Sequence, residues 1–198
     1  MLTICAIAAT IMGASSRAQA QATANNEPAH VLVSLRYSAT RANSPPGSCG
    51  CFLLQGAALD AALPFTSRLS AVLEAAGNHA NVVPGTSRQL STVTLLAGPR
   101  YTAQFGLRHS VFAQGIFGAV RGFDADFRRG NDATDTATAF AYAIGGGYAF
   151  RLTHTVELRP IQLDLLQTNL PNGANSRQRN LRFGAGVAFT VPLGIARR

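Results

Sequence analysis

The residues able to do chemistry are few and scattered. There are four histidines, His30, His79, His109 and His154. His109 adjoins Ser110, but neighbouring side chains of a strand point to opposite faces and cannot act together. His79 lies near Glu74 and Ser87 in sequence, an acid and a hydroxyl that could assist proton transfer, yet nothing in the spacing fixes their geometry; the plainer reading is a solvated loop histidine. No G-x-S-x-G nucleophile elbow is present. Asp124, Asp126, Asn131, Asp132 and Asp135 form an oxygen-rich run that could hold calcium. It lacks the spacing of an EF-hand and reads more simply as a solvated acidic loop. Arg128 and Arg129 beside it can meet anionic phosphate groups or pair within the loop. Cys49 and Cys51 flank Gly50; an oxidising compartment would let them form a loop disulfide, whereas a structural zinc site needs more ligands than one C-x-C supplies. The expectation is no catalytic, cofactor or metal site.

The surrounding chain is patterned in twos. From 30 to 41, Val31, Val33, Leu35, Tyr37 and Ala39 share one face and Leu32, Ser34, Arg36, Ser38 and Thr40 the other. From 180 to 191, Leu181, Phe183, Ala185, Val187, Phe189 and Val191 alternate with Arg182, Gly184, Gly186, Ala188 and Thr190. Such alternation over about ten residues is a strand signal. Six more segments read as strands: 50–63, 69–76, 90–101, 110–120, 137–150 and 155–167. Residues 67–76 could also form a short amphipathic helix. The segment at 155 changes phase at Pro160, which marks a bulge.

The connections alternate between long (42–49, 77–89, 121–136, 168–179) and short (64–68, 102–109, 151–154). A soluble sandwich has no reason to gather its long loops at one end; an outer-membrane barrel has short periplasmic turns and long outer loops. A spanning chain must be helical or a closed barrel, and no apolar run here is long enough for a spanning helix of about 20 residues. The fold expected is therefore all-β, an eight-stranded antiparallel up-and-down transmembrane barrel. Its inward charges would be Arg36, Glu74, Arg100, Glu157, Arg159, Asp164 and Arg182. Four arginines face three carboxylates there, and Gly98, Gly145, Gly147, Gly184 and Gly186 would give them room. Glu157 and Asp164, on the strand next to Arg182, are its favoured partners. A barrel this narrow is filled by its side chains, so the lumen should be plugged: porin-like in architecture, not in conduction.

The residues before this pattern read as an export signal. Residues 2–14 are an apolar run, followed by Ala18-Gln19-Ala20, an A-x-A cleavage pattern. No basic residue precedes the run, a departure from the usual signal that an upstream start codon would account for. Cys5 sits inside it, where a lipoprotein cysteine would follow it. The division expected is 1–20 signal peptide, 21–29 short N-terminal segment, 30–191 barrel and 192–198 tail. Apolar residues make up 47% of the 198-residue chain and charged residues 13%, the reverse of a disordered segment. The formal charge is +8, and all 17 basic residues are arginine. They are scattered instead of gathered on one face, which argues against nucleic acid. Without Trp, any interfacial aromatic belt must use Phe and Tyr.

The chain resembles the small OmpA-like outer-membrane β-barrel proteins. The carrying residues are Ser34-Leu35-Arg36-Tyr37-Ser38, the stretch from Arg41 through Asn43-Ser44-Pro45-Pro46-Gly47 to Cys51-Phe52, then Leu158-Arg159-Pro160-Ile161-Gln162-Leu163-Asp164, Asn172-Gly173 and 180–187. The resemblance implies an eight-stranded barrel with a structural or surface-interaction role. Expected partners are membrane lipid, lipopolysaccharide and the outer-membrane assembly machinery, for a monomer in a Gram-negative outer membrane. Two departures matter. No peptidoglycan-binding domain follows the barrel, so cell-wall tethering does not carry over. Phe189 is followed by nine further residues, 190–198, instead of ending the chain as the family's terminal aromatic does. The competing reading is a soluble, lipocalin-like barrel with an apolar ligand. That requires an apolar inner face, against which Ser34, Arg36, Gln162, Asp164 and Arg182 stand.

Overall fold

A computed structural model describes residues 30–43, 50–86, 88–129, 132–172 and 175–193. The export segment, Cys49, Ser87 and Asn131 lie outside the described residues, and with them the Cys49–Cys51 pairing. Ten strands follow one another: β1 His30–Asn43, β2 Cys51–Pro64, β3 Leu69–Val83, β4 Arg88–Phe105, β5 His109–Phe123, β6 Phe127–Arg129, β7 Asp132–Thr134, β8 Ala137–Arg151, β9 Val156–Thr168 and β10 Gln178–Pro192. All but β6 and β7 close into one antiparallel barrel of eight strands, in which β1 pairs with both β2 and β10. Among the described residues there is no helix.

The period of two decides what faces where. Along β1, Ser34, Arg36, Ser38 and Thr40 are buried inside the barrel, while Leu35 and Tyr37 stand outside and exposed. Large apolar side chains stand on the outer surface: Leu73, Leu95, Phe117, Ile144 and Leu165 are between 54% and 65% exposed. Aromatic side chains collect at the short-turn end, where the His109 ring stacks on Phe105 with centroids 5.7 Å apart and accepts or donates a 2.6 Å hydrogen bond with Tyr148.

Two sequence expectations are corrected. Residues 77–89 are not a long loop. Asn78, Ala80 and Val83 remain buried on the inner face, and Asn78 and His79 pair with Thr92 and Ser91 of β4. Gly-Asn-His has low strand propensity, but the ladder overrides that preference, and only a tight turn after Val83 remains. The same pairing rules out a helix at 67–76. Within 121–136, β6 and β7 form a hairpin that lays the buried Phe127 ring over Gly122. At Pro160 the register slips on both sides of β9, between Gly184 and Gly186 of β10 and between Tyr148 and Phe150 of β8. This bulge turns both Arg159 and Gln162 inward, three residues apart though they are. An unbroken strand would point them to opposite faces.

Close strand approach fixes some glycines. A Cβ on Gly186 would lie 2.1 Å from the Leu35 carbonyl oxygen and 2.5 Å from the Arg36 Cα, both backbone atoms. Gly186→Ala should therefore part the β1–β10 seam and lower stability by about 1–3 kcal/mol, the usual cost of overpacking. Thermal unfolding of the purified barrel measures it; an unchanged midpoint would show that the seam yields freely.

Candidate functional site

The site is the inside of the barrel. Inward-facing polar residues from different strands meet at mid-height because the pleat alternates and the strands pair in register. Asp60 of β2 is the hub. Its Oδ2 accepts from Arg36 Nη1 at 3.0 Å and from the Ser34 hydroxyl, and its Oδ1 lies 2.9 Å from Arg100 Nη2 and 3.4 Å from Arg159 Nη1. Arg36 Nη2 also reaches Glu74 Oε2 at 2.5 Å, and Arg182 Nη1 lies 2.7 Å from the other Glu74 oxygen. Arg182 donates from Nε and Nη2 to Asp164 Oδ2 at 3.1 and 2.9 Å. Gln114 Nε2 donates to Asp164 Oδ1 at 3.3 Å, and its Oε1 accepts from Arg100 Nε and Nη2 at 3.0 and 2.7 Å.

These contacts close a ring: Asp60, Arg36, Glu74, Arg182, Asp164, Gln114, Arg100 and back to Asp60. Three arginines alternate with three carboxylates, and neutral Gln114 completes the circuit. β1, β2, β3, β4, β5, β9 and β10 each supply one member. β8 supplies Gly145, whose missing Cβ would otherwise sit 2.3 Å from Asp164 Oδ1. Arg159 hangs from Asp60 and, with Arg100, brackets the Phe112 ring at 5.1 and 4.8 Å. Every ring member is at most 4% exposed. Buried charges persist only when paired and hydrogen-bonded, and the alternation of sign provides that.

Of the sequence-predicted charges, Arg36, Glu74, Arg100, Arg159, Asp164 and Arg182 come together here. Glu157 does not. It sits at the short-turn mouth, half-buried, with Oε1 3.8 Å from Arg151 Nη2. Asp164 and Glu74, not Glu157, hold Arg182. Height along the strand explains the difference: Asp164 pairs directly with Arg182 of β10, whereas Glu157, seven residues earlier, pairs with Ala188 near the short turns. Sequence reasoning missed Asp60. A signal existed, since it is the lone charge in β2, and Leu59 beside it points outward.

The ring divides the lumen. On its short-turn side is a cavity of about 180 Å³ reaching Arg100, Arg159, Phe112 and Glu157. On its long-loop side is one of about 600 Å³, lined by Thr40, Leu54, Asn78, Leu90, Thr94, Val120 and Leu166, and further out by Arg128 and Arg177. The inner face is thus not polar throughout: Leu96, Ile116, Val120, Ala141 and Leu166 form a buried apolar cluster on one wall.

The remaining chemical candidates are dispersed. Glu74 is inside the barrel while His79 faces out, so the two cannot cooperate. His79 Nδ1 is instead 2.9 Å from Ser91 Oγ, whose proton goes to Asp124 Oδ2 at 2.9 Å. Arg88 reaches Asp126 and Asp135, each at 3.5 Å, so the acidic loop pairs with a cation from the neighbouring turn. Among the described residues no three His, Cys, Asp or Glu side chains gather as a metal site. Cys51 is exposed, its Sγ 3.6 Å from Arg41 Nη2.

No protein-family model matches the sequence, and no curated protein does. Solved structures do match in fold. Neisserial surface protein A (NspA) superposes with a TM-score of 0.63 at 15% identity, over 80% of this chain and 96% of that one. Ail, the attachment invasion locus protein of Yersinia pestis, gives 0.55 at 14% identity, over 83% of this chain and 100% of its own. Ail in complex with the heparin analogue sucrose octasulfate gives 0.54 at 12%, over 83% and 100%. The chain has the fold of the small eight-stranded outer-membrane barrels.

Proposed function

We propose that this chain is an integral outer-membrane β-barrel of a Gram-negative bacterium, exported through residues 1–20, with a plugged lumen and a structural or surface-interaction role. One observation carries the reading: the barrel is inverted, with its ion-pair ring inside and large apolar side chains exposed around its outside. A monomer in water does not expose so continuous an apolar belt, whereas a bilayer demands one and demands the closed ladder as well. A lipocalin-like barrel would need the opposite faces. Lipid covers the belt in this reading. Arg41, Arg121 and Arg179, exposed on the outer face near the long loops, have the chemistry to meet lipopolysaccharide phosphates. Ail, similar in fold, is known in complex with a heparin analogue, which supports polyanion contact at such a barrel. The assembly machinery would insert the chain as a monomer.

Fractionation tests the reading. The protein should be recovered from the outer membrane only with detergent, and unboiled samples should migrate differently from boiled ones on gels. Recovery in soluble periplasm would overturn it. Orientation is read separately. Cys51 lies at the long-loop end, so after reduction intact cells should label with a membrane-impermeant thiol reagent, and a Cys49→Ser/Cys51→Ser variant should not. Equal labelling of the two would place that end inside.

A further inference from the structure

We infer that the long-loop cavity is a binding site for a medium-chain carboxylic acid that carries a hydroxyl at its far end. The cavity, about 600 Å³, falls in the range of small-molecule sites, which are mostly apolar with a few placed polar groups. Its walls are Leu54, Val83, Leu90, Val120, Leu166 and Leu170. Its floor differs. Thr40 Oγ1, Asn78 Oδ1 and Thr94 Oγ1 are buried there with no hydrogen-bond partner among the described residues, at 3%, 7% and 2% residue exposure. Three buried polar atoms converging on one cavity ask for a hydrogen-bonding group from its occupant, because each costs free energy while unpaired. A bare methyl end would leave them so.

The outer end selects for charge. Arg128 and Arg177 line the rim, and neither is in an ion pair among the described residues, in contrast to Arg88. A carboxylate suits them. The floor residue Thr40 pairs with Arg182 of β10, four residues from Gln178, which follows Arg177 at the mouth, or about 13 Å at the rise of a strand. A floor group and a rim group that far apart fit an acid of roughly ten carbons, with chain between and a polar atom at each end. The ring of ion pairs below bars passage, so the ligand is held, not conducted. The inference needs the closed barrel and not its membrane, so its failure would leave the outer-membrane reading standing.

The test is calorimetric titration of the full barrel in lipid nanodiscs, with empty nanodiscs subtracted. The probes are 10-hydroxydecanoate, decanoate and 1,10-decanediol. The hydroxy acid should bind saturably, about tenfold tighter than either of the others, as one well-placed hydrogen bond or ion pair allows. Thr40→Val/Thr94→Val, near-isosteric and checked for heat-modifiable migration, should erase the preference for hydroxy acid over decanoate. Arg128→Gln/Arg177→Gln, on the rim and away from the core, should weaken both acids and leave the diol unchanged. Heat no greater than empty nanodiscs for all three probes would overturn the site. So would binding that neither double variant alters, which would place the probes in the surrounding lipid.

Discussion

Replacing Asp60 with Asn should destabilise the barrel more than any other single change in its interior. The substitution keeps the shape of the side chain and removes its charge. Asp60 takes ion-pair contacts from Arg36, Arg100 and Arg159 at once, so the ring opens at two adjacent edges and Arg159 loses its carboxylate. Four buried arginines would then face Glu74 and Asp164 alone. Removing one partner of a buried pair typically costs about 3–5 kcal/mol, because the remaining charge stays in a low-dielectric interior. Here three cations share the loss, which puts the effect at the upper end. Chemical unfolding in lipid vesicles, or the temperature at which heat-modifiable migration is lost, would register it. Glu157→Gln is the control: its pair with Arg151 is long and partly solvated, and such pairs contribute about 0–1 kcal/mol. Equal effects of the two variants would mean that water, not the ring, neutralises the lumen.

Much of this fold was legible because one rule, alternation with a period of two, controls both what faces lipid and what faces the lumen. β1 and β10 show it plainly, with Leu35 and Tyr37 against Arg36 and with Phe183 against Arg182. Legibility failed where a second effect crossed that rule. In β2 small residues occupy both faces, as at Ala57-Ala58 and Ala61-Ala62, so the alternation is faint and Asp60 passed as one more residue of an apolar run. In β3 the polar Asn78 and His79 read as loop, although cross-strand pairing to β4 keeps them extended. The size of the long-loop cavity was not legible at all. It depends on how far opposite walls stand apart across the lumen, which no single strand encodes. Nor was the closed circuit of the ring. Sequence gives the facing of each charge, but the meeting of Arg182 with Glu74 across the lumen depends on barrel closure and strand stagger.

Arg182→Leu and Ile144→Arg should both destabilise the barrel, and together they separate the two architectures an eight-stranded barrel can have. Arg182 lies between Glu74 and Asp164 in the ring. Leucine there leaves two buried carboxylates without their shared cation, at a cost of about 3–5 kcal/mol. Ile144 is on the outside of β8, 61% exposed and near the middle of its strand. An arginine on the lipid face near the bilayer midplane costs about 2–4 kcal/mol, enough to depress the inserted fraction. In a soluble barrel Ile144 would face water, and the same substitution would be neutral or would aid solubility. The inner variant reports whether the charge is paired; the outer one reports what lies beyond the wall. Refolding each variant into vesicles and measuring the inserted fraction against denaturant reads both. Loss in Arg182→Leu with no loss in Ile144→Arg would keep the ring and remove the membrane. Gain in Arg182→Leu would put that residue on the apolar side and turn the barrel inside out.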